Sequence, residues 1–188
     1  MKQFGLSVTL FFTALSAFAQ LTVSSGVLTP QQYVNNLVGP GISISNVTYT
    51  GTNAQIGSFG GTSNIGFTGG VVLSSGAASE LVGPANVASG GQVNVSGITN
   101  NMNPTIGNLL TIANENLQSL GLGSATLATD GAILEFDFVP ISNLVSFNFV
   151  FSSDEYLTYV NTQFNDIFGF FCGWTRYHRA IFGSGRFP

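Results

Sequence analysis

The chain has 188 residues, 44% of them hydrophobic and only 6% charged, with 17 Phe and 24 Gly; that much apolar surface excludes a disordered chain and calls for a packed core. The formal net charge is −4, and no Lys or Arg stands between Gln3 and Cys172, which excludes a nucleic-acid partner because phosphate binding rests on those side chains. A lone Cys172 excludes an internal disulfide framework.

The first 19 residues read as a secretory signal peptide. Lys2 supplies the charged start, Phe4 to Phe18 the apolar run, and Ala17-Phe18-Ala19 a small-x-small cleavage site. The run falls short of the roughly 20 apolar residues that a membrane-spanning helix needs, and no later segment reaches that length. The expected address is therefore secreted or extracellular. The remainder fits one domain by the usual size of about 100 to 200 residues.

Past the leader, Thr29 to Val38 reads as a short helix: Thr29 caps it, Pro30 suits its first turn, Gln32 completes a capping box, and Gly39-Pro40 ends it. Ile42 to Thr50 alternates like a strand with one local slip (Ile42, Ile44, then Val47, Tyr49). Three short apolar segments follow, Ile56 to Phe59, Ile65 to Phe67 and Val71 to Leu73, separated by Gly- and Ser-rich turns in the manner of a sandwich or barrel. Residues 77 to 104 read as loop, and Ile106 to Leu120 carries helical spacing at Leu109, Leu110, Ile112, Ala113 and Leu117.

Alternation is strongest at Ala132 to Val139 and Leu144 to Ser152. Leu134, Phe136 and Phe138 share one face of the first segment, opposite Glu135 and Asp137, while Phe147, Phe149 and Phe151 line one face of the second. Two strands joined across Pro140-Ile141-Ser142-Asn143 would bring these six apolar side chains into one core. The fold class expected is mainly β: a jelly-roll-like β-sandwich with one or two short helices, incomplete at its C-terminal end.

For catalysis the sequence holds little. His178 is the only histidine, so neither a nucleophile–base arrangement nor a zinc set can be assembled, and the Gly-rich stretches lack the Lys-Ser/Thr of a phosphate loop. Carboxylates are densest around Phe151-Ser152-Ser153-Asp154-Glu155-Tyr156 and Phe164-Asn165-Asp166. Asp154, Glu155, Asn165 and Asp166 offer hard oxygen ligands from two adjacent loops, the donor set of a Ca²⁺ site. The same groups are also those that cap turns and pair with backbone N–H groups, and a pair of glycosidase carboxylates is a third reading. Asn46-Val47-Thr48 and Asn94-Val95-Ser96 match the N-glycosylation pattern, by chance if the source is bacterial.

Taken in order, Leu28-Thr29-Pro30-Gln31-Gln32, Ile56-Gly57-Ser58-Phe59, Ile65-Gly66-Phe67, Gly70-Val71-Val72-Leu73-Ser74-Ser75-Gly76, Ala132 to Pro140, Phe149 to Tyr156 and Phe164 to Phe171 resemble the choice-of-anchor L domain family of bacterial secreted and surface proteins. The resemblance covers Leu28 to Phe171. It implies a module of a longer protein that is followed by further domains and by a sorting or anchoring tail such as a type IX secretion signal.

After Phe171 the composition breaks: Cys172, Trp174, His178, Arg176, Arg179 and Arg186 all fall here, where the family continues with a Gly-Pro-rich turn. Permitted codons for Cys172 to Pro188 can be chosen so that a one-base shift yields such a Gly-Pro-rich continuation. Three parts are expected: a signal peptide at 1–19, the extracellular β domain at 20–171 and a frameshifted tail at 172–188. The expected function is a non-enzymatic module for attachment, adhesion or glycan contact, with surface glycans or proteins as partners and with a carboxylate hydrolase fragment or a structural spacer as rivals.

Overall fold

The computed structural model describes residues 21–62, 65–82, 101–102, 107–125, 128–152, 165–174 and 178–187. The chain is mainly β, as the sequence leads one to expect: two antiparallel sheets with two short helices. No helix among the described residues is long and apolar enough to cross a membrane.

Strand β1 (Leu21–Ser25) pairs with β3 (Ile56–Gly61), which pairs with β4 (Gly69–Leu73), giving a three-stranded sheet. The chain leaves β1 through Gly26, at φ +66°, whose N–H donates to the Ile56 carbonyl at 2.9 Å. A Cβ there would stand 2.8 Å from the Asn53 carbonyl oxygen, so the turn needs glycine on both counts.

Helix α1 (Pro30–Leu37) is built by the local signals in its sequence. Thr29 accepts from the Gln32 N–H through its hydroxyl, while the Thr29 N–H donates to Gln32 Oε1 at 2.8 Å, the reciprocal pair of a capping box. Tyr33 and Val34 on its inner side are buried.

The second sheet holds β2 (Ser43–Thr50), β6 (Ala128–Val139), β8 (His178–Phe187) and β7 (Asn165–Trp174) in that spatial order, with the two-residue β5 (Asn101–Met102) also on β6. The expected slip in β2 is a register shift between Ser45 and Thr48, at which Asn46 takes φ 51°; asparagine adopts this left-handed conformation more readily than most residues. A second irregularity interrupts the β6–β8 ladder between Thr129 and Ala132, where Asp130 has φ 55°.

Leu134, Phe136 and Phe138 of β6 join Tyr33, Val34 and Ile56 in the main core, with Val71 and Leu73 of β4 and Phe170 of β7 packed around it. Both sheets and α1 therefore share one core. On the opposite face of the larger sheet, Ala113 and Leu117 of α2 (Gly107–Ser119) bury Ile167 together with Ala125, and Leu110, Leu122 and Phe171 pack against them. Asn114 pins the chain after α2 by accepting from the Ala125 N–H at 2.7 Å and donating to its carbonyl at 3.1 Å.

Ile65 to Phe67, expected as a strand, is a turn region instead; three residues flanked by Gly and Ser give a ladder too little length to form. Leu144 to Ser152 belongs to no strand and is exposed along its whole length, with Phe147, Phe149 and Phe151 at 40%, 57% and 50%. The expected hairpin with β6 is thus absent. The place beside β6 is held by β8, whose register sets Phe136 opposite Ala180 and Leu134 opposite Phe182.

Candidate functional site

Two features of the larger sheet carry chemistry. The first is polar, on the face of β6 turned away from the main core. Glu135 and Asp137 alternate with the buried Leu134, Phe136 and Phe138, so the pleat turns both carboxylates to one side. Strand β2 runs alongside with Ser45 opposite Asp137 and Thr48 opposite Glu135. Asn46, thrown out by the register shift, donates from Nδ2 to Asp137 Oδ2 at 2.6 Å, and Thr48 Oγ1 donates to Glu135 Oε2 at 3.2 Å. These charge-assisted bonds hold two anionic side chains on an open sheet face. Among the described residues no third Asp, Glu, His or Cys joins them to make a metal-holding group.

The second feature is apolar. After the bend at residues 141–143, where Ser142 Oγ accepts from the Leu144 N–H at 3.3 Å, the chain passes over β7 on the side of Phe168 and Phe170. Phe147 lies 4.1 Å from Phe170 between ring centroids, Phe149 lies 5.2 Å from Phe168 in a stacked arrangement, and Phe151 lies 6.5 Å from Phe168. All three rings remain 40% or more exposed beside β7. With Ile141, Leu144, Val145 and Val150 also exposed, residues 141–151 form a strip without a charged side chain in which seven of eleven residues are apolar, the rest being Ser142, Asn143, Ser146 and Asn148. Isolated exposed hydrophobic residues are ordinary, but a contiguous patch marks a contact surface.

Of the four residues expected to bind Ca²⁺, Asp154 and Glu155 lie outside the described residues. Asn165 and Asp166 are the first two positions of β7, where the register sets them opposite Phe187 and Arg186. Alternation in β6 already separates Glu135 and Asp137 from the phenylalanines; their partners on β2 escape a sequence reading because the bulge at Asn46 shifts the register. The sequon Asn46-Val47-Thr48 contributes both donors, each through a side chain already engaged with a carboxylate.

An antiparallel two-sheet body with α1 in its core and an uncharged strip of exposed hydrophobic side chains on its outside defines a mainly-β module. Residues 22–178 match the family model of the Choice-of-anchor L domain, and the chain belongs to that family, a group of bacterial secreted and surface modules. The match begins within β1 and ends at the first residue of β8, so it takes in more of the chain than the segment from Leu28 to Phe171 that carries the resemblance. Neither the curated proteins nor the solved structures gave a match.

Proposed function

We propose that this chain is a non-enzymatic attachment module of a larger secreted or surface-anchored bacterial protein, and that it meets its partner, a surface glycan or protein, through the strip of residues 141–151. The observation that carries this reading is the exposure of Leu144, Phe149, Val150 and Phe151 side by side on a chain whose other large aromatic side chains on β6 are buried. Partly exposed apolar rings suit both the hydrophobic core of a protein interface and the apolar faces of sugar rings.

The test is retention of surface glycans and envelope proteins on the immobilised chain, compared with a Leu144→Ser/Phe151→Ser double variant. Retention that falls at least fivefold in the variant, with the melting temperature unchanged, is the expected result. Equal retention by the two chains, or turnover of a polysaccharide or peptide during the assay, would overturn the reading.

Membership of a longer protein is tested on the gene. Reading the gene past codon 188 in all three frames should reveal further domains and a sorting tail. A stop codon close behind in every frame would remove that part of the proposal.

A further inference from the structure

In the larger sheet, β8 runs antiparallel to β6 on one side and to β7 on the other. A second segment of the chain satisfies the same requirement. Leu144–Ser152 follows β6 across only the four residues 140–143, and a hairpin of that length would send it antiparallel to β6, with Val139 facing Leu144, Glu135 facing Asn148, and Phe136 facing Phe147. Relative to β7 it is already aligned: Phe147 touches Phe170 while Phe149 and Phe151 touch Phe168, so its numbering rises as that of β7 falls, which is the antiparallel sense.

Composition favours it as well. Leu-Val-Ser-Phe-Asn-Phe-Val-Phe-Ser contains no Gly and is rich in β-branched and aromatic residues, whereas β8 carries Gly183 and Gly185, with Gly183 paired to Gly169. The four-residue connection also closes a far shorter loop than the one between β6 and β8. Nothing in its own sequence keeps Leu144–Ser152 out of the sheet; the place is taken.

We infer that Leu144–Ser152 and His178–Phe187 are alternative occupants of one strand position between β6 and β7, so that the tail, by holding that position, keeps the aromatic strip outside. With β8 in place the strip is presented; with β8 displaced, Leu144–Ser152 enters the sheet, its phenylalanines join Leu134, Phe136 and Phe138, and the strip disappears from the surface. The inference rests on the attachment reading of the strip, whose availability it makes conditional on the last strand.

Two cysteine pairs in the full chain read the two states with no partner present. Cys172 and Ala180 are opposite one another in the β7–β8 ladder, so Ala180→Cys reports β8 in place as a disulfide. Glu135→Cys with Asn148→Cys, on a Cys172→Ser background, reports Leu144–Ser152 in place. Directly opposed strand positions lie within the Cα separation a disulfide tolerates. Mild oxidation should give both products, each in its own variant. Adding Phe149→Pro should lower the 135–148 product at least fivefold and raise the 172–180 product, and Ile181→Pro should do the reverse, because proline cannot serve a central strand.

No 135–148 product, or yields untouched by Phe149→Pro, would overturn the exchange; since Phe149 is exposed in the present arrangement, its replacement leaves a folded chain in which to read this even if Ile181→Pro unfolds. Locked chains separate the two readings. If the 172–180 chain retains a partner and the 135–148 chain does not, both hold. If the disulfides exchange as described but both locked chains bind equally, the strip is not the attachment surface.

Discussion

Gln55, fully buried, donates from Nε2 to the backbone carbonyl of Asp130 at 2.7 Å and so ties the start of β3 to the irregular start of β6. Its Oε1 accepts from the Thr52 N–H at 2.9 Å and from the Thr52 hydroxyl at 3.1 Å, closing the short 3₁₀ turn Asn53–Gln55. One amide thereby satisfies polar groups of the larger sheet and of the connection that leads from β2 into β3. Replacing Gln55 with Leu, which fills similar space, leaves these groups without their partner and should cost about 3 kcal/mol. Urea melts would show a lower midpoint with an unchanged slope. A midpoint within experimental error of the parent would mean that water takes over the role of the amide.

Tyr49 gives the fold an alkaline limit. Burial first, and the neighbouring Tyr33 second, hold its hydroxyl well above the usual phenol pKa of about 10, and the hydroxyl donates to the Thr52 carbonyl at 2.8 Å. A group whose folded pKa is raised contributes its stability in full below the unfolded value. Above about pH 10 the unfolded chain gives up the proton first, so stability falls as pH rises. The melting temperature should therefore drop more steeply above about pH 10 in the parent than in Tyr49→Phe, which should itself be weaker by about 1 kcal/mol at neutral pH through the lost hydrogen bond. Parallel pH profiles for the two chains would contradict this.

Leu134 and Phe149 should respond very differently to truncation. Leu134 is fully buried at the centre of the shared core, and its replacement by Ala should cost about 2 to 5 kcal/mol. Phe149, more than half exposed, should lose less than about 1 kcal/mol on the same change, since little of its area leaves water on folding. Comparable losses in denaturant melts would place Phe149 in the core after all.

Much of this fold was legible because its causes are local. Thr29, Pro30 and Gln32 make the capping box within four residues, and the Phe alternation of β6 needs no partner to be seen. Both helices and the irregularity in β2 are in place for the same reason. Pairing is different, because alternation tells which side chains share a face but not which strand lies alongside. Leu144–Ser152 has a strand's pattern without a strand's neighbour, and β8, with its Arg, His and Gly, has the neighbour without the pattern. The polar pairs were hidden by the bulge, since Asn46 reaches Asp137 only after the register slips. β1 escapes a sequence reading because its five residues start only one residue past the stretch that reads as a signal peptide.

Calcium is an expected ligand of Asp154, Glu155, Asn165 and Asp166. If these oxygens form a site, Ca²⁺ binds the folded chain alone and raises its stability by about 2.7 kcal/mol when present at a hundredfold excess over Kd. Thermal melts in millimolar Ca²⁺ and in chelator should then differ by several degrees, and Asp154→Ala or Asp166→Ala should abolish the difference. Identical melts for the parent in the two buffers would leave these residues as turn caps.

Export is expected to depend on the first 19 residues, which read as a signal peptide. Fused to a reporter, residues 1–25 should carry it out of the cytoplasm, with cleavage between Ala19 and Gln20, because Lys2, the apolar run and the Ala17-Phe18-Ala19 site have the order and spacing of a signal peptide. The cut would free an N-terminus one residue ahead of β1, whose Leu21 pairs with Gly61 at the edge of the smaller sheet, so the leader can be removed without taking a strand with it. Phe11→Arg together with Phe12→Arg should hold the reporter inside, since two ionised side chains break the apolar run. N-terminal sequencing of the secreted product locates the cut. A reporter that stays cytoplasmic and uncleaved with the native residues would refute the assignment, and secretion undiminished by the paired arginines would show that something other than the apolar run directs it.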